Sequence, residues 1–289
     1  VDTVFCHAAQ QYGMLPPLAR RFVAGESAAT ALEHARHLDD DGIGTILNLL
    51  GEHYHERGPA DADAEAYCQL IDDIATTDLR VCLSVKPSQL GLLVGEDVFR
   101  ENLGRVVGRA ADHEAFVWLD MEDHTTTDAT LDAFEHYARE YGRVGVCVQA
   151  NLKRTGADLE RLADLPGKVR LVKGAYDPPE EIAHQSKERV NEAYERHLEY
   201  MFEHFEGGIA VGSHDPAMLA RAATLHQQYD TPYEVQMLMG VREGAQRDLA
   251  GHHDVWQYVP YGSRWLSYFY RRVTENVGSA KFALRALLG

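Results

Sequence analysis

Two adjacent arginines near the C-terminus, Arg271 and Arg272, are the side chains of this sequence best suited to bind an anion. A guanidinium presents a planar fork of N–H donors that matches a carboxylate or a phosphate. Tyr268 precedes the arginines by three and four positions, so on a helix it shares a face with both. Apolar residues recur at helical spacing over 263–289, which predicts a long final helix that carries these residues. Two solvated arginines on a helix surface are the alternative interpretation.

Short apolar segments alternate with amphipathic segments along the chain, which predicts a parallel sheet connected by helices. Eight such pairs occur, and the chain has the length that a closed TIM-type (β/α)8 barrel needs. An open doubly wound sheet is disfavoured because no glycine-rich loop follows the first strand. The predicted strands are 45–50, 81–85, 116–119, 144–148, 169–172, 209–211, 233–235 and 255–259, and the helices between them are 63–75, 96–111, 127–141, 157–165, 186–205, 216–228 and 242–249.

The first part of the chain, 1–42, is predicted to be an additional helical segment in front of the barrel. Ser27 is a suitable N-cap for a helix, and Gly42 is a suitable stop. No linker or low-complexity stretch interrupts the sequence, so we expect one α/β domain over 1–289.

Each predicted strand ends on polar or ionisable residues. Active sites of (β/α)8 barrels lie at the carboxyl ends of the strands, so these residues predict one site at the barrel mouth. In chain order they are Glu52, Ser84, Lys86, Asp120, Glu122, Gln149, Asn151, Lys173, Tyr176, Ser213, His214, Asp215, Gln236 and Tyr258. Lys86, Lys173 and the arginine pair stand against Asp120 and Glu52 in this group, with amides and phenols between them.

Other kinds of site are weighed against this one. His214 is the one histidine of the group, so the sequence predicts no metal site. Ser213, His214 and Asp215 are consecutive, which excludes the geometry of a hydrolytic triad. A lysine-dependent aldolase stays open, because Lys86 or Lys173 could form a Schiff base. A barrel that only binds an anion, without catalysis, stays open as well.

The charge of the chain limits its partners. It has 45 acidic and 28 basic residues and a net charge of −17, which disfavours nucleic-acid binding. The acid excess resembles the surfaces of proteins from high-salt cytoplasm. No apolar run reaches the roughly eighteen residues that a membrane-spanning helix needs. The cysteines, at positions 6, 68, 82 and 147, form no CxxC pair, which favours a reducing cytoplasm.

Four segments together resemble the proline dehydrogenase family, the flavin-dependent barrel enzymes of proline catabolism. They are VCLSVKPSQ (81–89), VRLVKGAY (169–176), YVPYG (258–262) and YFYRRVTEN (268–276). The resemblance extends over nearly the whole chain from Gly51, and VKGAY and YxxRR are specific motifs. It is closer to the free-standing enzymes than to the bifunctional fusion. It implies FAD-dependent oxidation of L-proline to 1-pyrroline-5-carboxylate, with the electrons passed to a quinone.

The resemblance also implies a role for each matching residue. Arg271 and Arg272 are expected to bind the proline carboxylate with the help of Lys86. Asp120 is expected to hold Lys86 and order the pocket rather than act as a base, and Arg170 is expected beside the reactive flavin nitrogen. Lys86, Asp120 and Arg170 form the expected catalytic group. The expected proline pocket is completed by Asp120, Leu171, Tyr258 and Tyr268. The expected FAD contacts are Gln149, Arg170, Lys173, Gly174, Ala175, Ser213, His214, Gln236 and Glu275.

Three positions depart from the family pattern. Asp215 stands where many members have asparagine, Asn151 where an aromatic residue is frequent, and Asp177 where the fused enzymes have tryptophan. These differences affect the FAD contacts more than the substrate site. Tyr258 is expected to favour proline, and a homologue that prefers 4-hydroxyproline is the alternative. The expected location is the cytoplasm, with at most peripheral contact with the inner face of the membrane, and an oligomer is compatible with the sequence.

Overall fold

Eight parallel strands form a closed barrel in chain order, with helices between them. The computed structural model describes residues 15–16 and 18–277, with side chains up to position 272. It confirms the predicted TIM-type (β/α)8 fold. The strands are β1 (Gly44–Leu49), β2 (Val81–Val85), β3 (Val117–Leu119), β4 (Val144–Gln149), β5 (Lys168–Val172), β6 (Ile209–Gly212), β7 (Tyr233–Leu238) and β8 (Asp254–Tyr261). The α-helices are α1 (Ala28–Asp40), α2 (Arg57–Ala75), α3 (Glu96–Asp112), α4 (Thr127–Glu140), α5 (Thr155–Leu162), α6 (Lys187–His204), α7 (Pro216–Tyr229), α8 (Glu243–Ala250) and α9 (Trp265–Val277).

The barrel strands are buried on both faces, which explains their nearly continuous apolar sequences. One face packs on the surrounding helices in the main core. The other face fills the barrel interior with a smaller cluster that includes Ile46, Cys82 and Trp118. Glycine at position 145 of β4 makes room for this cluster, since a Cβ atom there would lie 2.4 Å from the Trp118 ring.

The N-terminal part of the described chain contacts both the wall and the mouth of the barrel. Helix α1 packs against β1 and β8. The Ser27 side chain and Thr30 form a capping box at its start, and Gly42, with φ +72°, follows its end, so both predicted signals are confirmed. Ahead of α1, residues 15–16 and 18–25, together called segment 15–25, lie beside α9, where Phe22 packs on Phe269 with ring centroids 6.2 Å apart. The predicted helix in 1–14 lies outside the described residues.

Some boundaries differ from the predicted ones for local reasons. Helix α2 begins at Arg57, six residues earlier than predicted, because Pro59 is tolerated in a first helical turn, where its missing N–H has no intrahelical partner. Helix α5 covers 155–162 instead of 157–165. Strand β8 continues to Tyr261, paired with β1, so Tyr258 lies inside the strand instead of at its end. The final helix begins at Trp265, and its predicted continuation to 289 passes beyond the described residues.

Three cysteines, at positions 68, 82 and 147, are buried free thiols, while Cys6 lies outside the described residues. Within the described part of the chain, no helix has both the length and the apolar character to cross a bilayer.

Candidate functional site

The carboxylate of Asp120, directly after β3, is the centre of a buried polar group at the barrel mouth. It accepts hydrogen bonds from four side chains that belong to or follow β2, β5 and β8. The donors are Ser84 Oγ at 2.6 Å, Lys86 Nζ at 3.0 Å, Tyr258 Oη at 2.7 Å and the Arg170 guanidinium. The structure thus brings together five of the residues named from the sequence: Ser84, Lys86, Asp120, Arg170 and Tyr258.

Charge–charge interactions keep both Asp120 and Lys86 ionised. Burial opposes ionisation of Asp120, but the charges of Lys86 and Arg170 outweigh it and hold the pKa of the carboxyl well below its usual range. Burial likewise disfavours a charged Lys86, but Asp120 keeps the pKa of the amine above its ordinary value. Lys86 is therefore a permanent cation. A lysine nucleophile needs a lowered pKa, so this arrangement argues against a Schiff-base role for Lys86.

Arg170 lies inside the barrel. Its guanidinium carbon is 5.0 Å from the Trp118 ring centroid, and its Nη1 donates to Gln236 Oε1 at 3.0 Å. Side chains alternate along a strand, so the next residue, Leu171, points the other way and is fully buried in the core under the helices. Leu171 therefore packs under the helices and not in the barrel mouth, so its expected place in the proline pocket is wrong.

A second group of site residues comes from α9 and the segment after β1. Arg271 Nη2 donates to Glu52 Oε2 at 2.9 Å. Burial opposes ionisation of Glu52, but the hydrogen bond and charge of Arg271 outweigh it and lower the pKa of the carboxyl. The guanidinium carbon of Arg272 lies 5.4 Å from the Tyr268 ring centroid.

Between the two groups lies a small cavity of about 90 Å³. Its lining combines cations from the barrel and from the final helix with one carboxylate. The lining residues are Leu50, Gly51, Glu52, Lys86, Arg264, Ser267, Tyr268 and Arg271. Four residues predicted from the sequence therefore share one cavity: Glu52, Lys86, Tyr268 and Arg271.

The expected cofactor residues cluster beyond β4, β5 and β6. Gln149 is buried and donates to the Glu122 carbonyl at 3.0 Å. Lys173 Nζ donates to Asp215 Oδ2 and Asn191 Oδ1, each at 2.6 Å. Asp215 also caps α7 by accepting from the Ala217 N–H at 3.1 Å. The acid at this position, a departure from the family pattern, thus holds the lysine by charge as well as by hydrogen bonding.

His214 presents a polar atom that has no hydrogen-bond partner among the described residues. Burial, with the nearby charges of Arg272 and Arg242, lowers the pKa of the imidazole to about 4. Its Nε2 accepts from the Leu238 N–H at 3.1 Å. A neutral imidazole with that acceptor carries its proton on Nδ1, which is the buried, unpartnered atom.

The loop after β5 passes close to Asn151, which follows β4. Gly174 has φ +115°, and a Cβ atom there would lie 2.3 Å from Asn151 Oδ1. That oxygen is also buried without a partner within the described part of the chain. Ser213 is buried and accepts from the Asp215 N–H at 3.1 Å, and Ala175 is exposed. Glu275 belongs to α9, but its side chain lies outside the described ones.

A match to a family model shows which family the chain belongs to. The proline dehydrogenase model matches residues 31–285. This chain belongs to the proline dehydrogenase family. It is therefore an oxidoreductase.

Similar proteins agree with the family assignment. Proline dehydrogenase from Deinococcus radiodurans is 35% identical over 282 residues, which cover 94% of this chain and 90% of the relative. Proline dehydrogenase 1 from Bacillus subtilis is 31% identical over 275 residues, which cover 93% of this chain and 90% of the relative. Among solved structures, proline utilization A from Bdellovibrio bacteriovorus has a TM-score of 0.82 at 23% identity, covering 90% of this chain and 32% of that chain. At that identity, the structural likeness shows the fold alone.

Three residues near the cavity were not predicted from the sequence. They are Tyr54, Asp63 and Arg264. The strand-end pattern could not identify them, because none of them ends a predicted strand. Among the described residues, no group of three or more histidine, cysteine or acidic side chains is arranged to hold a metal ion.

Proposed function

We propose that this protein oxidises L-proline to 1-pyrroline-5-carboxylate with FAD and passes the electrons to a quinone. The observation that carries the proposal is the shared cavity of Lys86, Tyr268 and Arg271 next to the Asp120 group. A cationic pocket of this size suits a small amino acid whose carboxylate needs a fixed partner.

Arg271 is the proposed anchor for the substrate carboxylate, with Arg272 and Lys86 as additional cations. Glu52 supports this role, because a carboxylate already contacts the Arg271 guanidinium at 2.9 Å. A substrate carboxylate therefore has to share or displace that contact. The anchor holds the proline ring in one orientation, which removes rotational freedom before the reaction.

The residues beyond β4, β5 and β6 fit an FAD. The protonated Nδ1 of His214 is a buried donor without a partner among the described residues, and Asn151 offers an unpartnered oxygen beside the close approach at Gly174. Gln149, Arg170, Lys173, Ala175, Ser213, Gln236 and Glu275 are proposed to complete the FAD contacts. When bound, FAD supplies the acceptor for the hydride that leaves the proline ring carbon beside the nitrogen.

The chain's own residues contribute position and charge to the reaction. The nitrogen loses its proton, the neighbouring ring carbon loses a hydride, and a C=N bond forms between the two atoms. Asp120 is a weak base because its pKa is held low, so we assign it to holding Lys86 and assign the nitrogen's proton to water. Tyr258, fixed by its hydrogen bond to Asp120 at 2.7 Å, limits the space around the ring and favours proline over 4-hydroxyproline.

The quinone, a cytoplasmic location and at most peripheral contact with the inner face of the membrane remain part of this proposal. They rest on the family resemblance.

An absorbance spectrum before and after anaerobic addition of L-proline tests the proposal. The purified holoenzyme is expected to be yellow and to bleach on addition of proline, as an oxidised flavin does when it accepts two electrons. A colourless protein that borohydride traps covalently with a carbonyl substrate would contradict it and favour the aldolase. A protein that binds carboxylates while its chromophore stays unchanged would contradict it as well and favour a binding protein.

A further inference from the structure

Arg264, the residue immediately before α9, connects this helix to α2 and to the segment after β1. Its Nη1 donates to Asp63 Oδ2 at 3.1 Å and contacts the Tyr54 hydroxyl. Its guanidinium carbon lies 4.9 Å from the Tyr54 ring centroid. The same guanidinium therefore makes an ion pair and a cation–π contact, which fix its orientation.

Asp63 is a nearly buried acceptor on which three side chains converge. Its side chain is 11% exposed, against 51% for Arg264. The Tyr54 hydroxyl donates to Asp63 Oδ2 at 2.6 Å, and Gln89 Nε2 donates to the same oxygen at 2.8 Å. An exposed ion pair contributes little to stability, but removal of Arg264 would leave a mostly buried carboxylate without its cation, which is costly.

The side chains of Tyr54, Asp63 and Gln89 are tightly packed around Gly51. A Cβ atom at Gly51 would lie 2.3 Å from Tyr54 Oη and 2.7 Å from Asp63 Oδ2. Gln89 Nε2 also donates to the Leu49 carbonyl at 2.9 Å, so the group is attached to the end of β1. The contact of Arg264 thus ties the start of α9 to the barrel framework.

Arg264 lies on the same side of the final helix as the proposed carboxylate site. Arg264, Tyr268 and Arg271 line the same cavity and follow each other at spacings of four and three residues. A shift at the start of the helix therefore moves Tyr268 and Arg271 relative to Lys86, which is held on the barrel by Asp120.

We propose that Arg264, held by Asp63 and Tyr54, is a positioning residue that keeps α9 closed on the barrel mouth and so sets the affinity for the substrate carboxylate. The inference rests on the proposed function. Without the Arg264 contacts, α9 spends part of its time displaced, and the apparent affinity falls by the fraction of molecules that remain competent.

The test measures steady-state kinetics with L-proline and hydrogen exchange of the α9 amides in the wild-type holoenzyme and in Arg264→Met. We expect the KM for proline to rise roughly five- to tenfold while kcat stays within about twofold, because bound substrate restores the closed helix. Exchange of the amides at 265–272 is expected to accelerate at the same time. Tyr54→Phe, which removes one donor to Asp63, is expected to shift both readouts in the same direction by a smaller factor.

Arg247→Met is the matched control, since Arg247 forms an exposed ion pair with Asp41 at 2.8 Å and does not line the cavity. It should change neither readout. If Arg264→Met leaves both KM and α9 exchange at wild-type values, or lowers kcat alone, the positioning role is wrong. If the wild-type protein does not oxidise proline, the proposed function fails, and α9 exchange still decides whether Arg264 holds the helix.

Discussion

Arg271 and Arg272 are adjacent in the sequence but have different surroundings in the structure. Arg271 contacts Glu52 and lines the cavity with Lys86, whereas Arg272 lies against the Tyr268 ring. Consecutive helix positions differ by about 100° around the axis, so one of a pair can face a cavity while its neighbour packs on the helix itself. Arg271 is therefore the stronger candidate for the carboxylate anchor.

Replacement of Arg271 by methionine is expected to raise the KM for L-proline roughly a hundredfold, because a charge-assisted hydrogen bond to the carboxylate is lost. The expected effect on kcat is smaller, since the other charges at the mouth remain. Steady-state kinetics at saturating electron acceptor measure both constants. Arg105→Met, which disrupts an exposed pair with Glu65 at 2.6 Å, is the control and should leave them unchanged. A KM within threefold of wild type for Arg271→Met would exclude the anchor role.

The Asp120 group shows what sequence can predict for single residues. Its main members could be named, because each ends or lies near the end of a strand in a barrel that places all such ends on one rim. The hydrogen bonds within the group could not be predicted, because the donors are separated from Asp120 by 34 to 138 residues along the chain. The same limit explains the error at Leu171: family position suggested the pocket, but strand alternation turns the side chain to the core.

The strands and helices between β1 and β8 could be predicted because their signals are local. A buried parallel strand is a short apolar run, and an amphipathic helix repeats its apolar residues with a period of 3.6. The start of α2 was misplaced because glycine and proline at positions 58 and 59 resemble a turn, although they also fit a first helical turn. The position of the segment 15–25 beside α9 had no local signal, because it depends on contacts between the two ends of the described chain.

Phe22→Ala is expected to lower the free energy of unfolding by about 3 kcal/mol, since a buried phenylalanine in contact with Phe269 is replaced by a cavity. The midpoint of urea denaturation, followed by circular dichroism, measures the change. Leu93→Ala is the control, because Leu93 is 38% exposed and its truncation should cost less than about 0.5 kcal/mol. Equal midpoints for wild type and Phe22→Ala would show that segment 15–25 contributes nothing to the packing of α9.

The whole molecule combines a rigid barrel with a separately held final helix. Lys86, Asp120 and Arg170 are fixed by strands, where neighbouring backbones hold every side chain in register. Tyr268 and Arg271 are brought to the same place by α9, through Glu52, Arg264 and the apolar contacts of segment 15–25. Closure of the barrel could be predicted from eight repeated units, whereas the attachment of the helix required the structure.

The most direct measurement compares L-proline with pyrrolidine, the same ring without a carboxylate, in anaerobic titrations of the wild-type holoenzyme. We expect L-proline to bleach the flavin absorbance and pyrrolidine at the same concentration to leave it nearly unchanged, because only proline has a carboxylate that can bind Arg271. Bleaching by both compounds at similar concentrations would contradict the claim that a carboxylate anchored on α9 places the ring for oxidation.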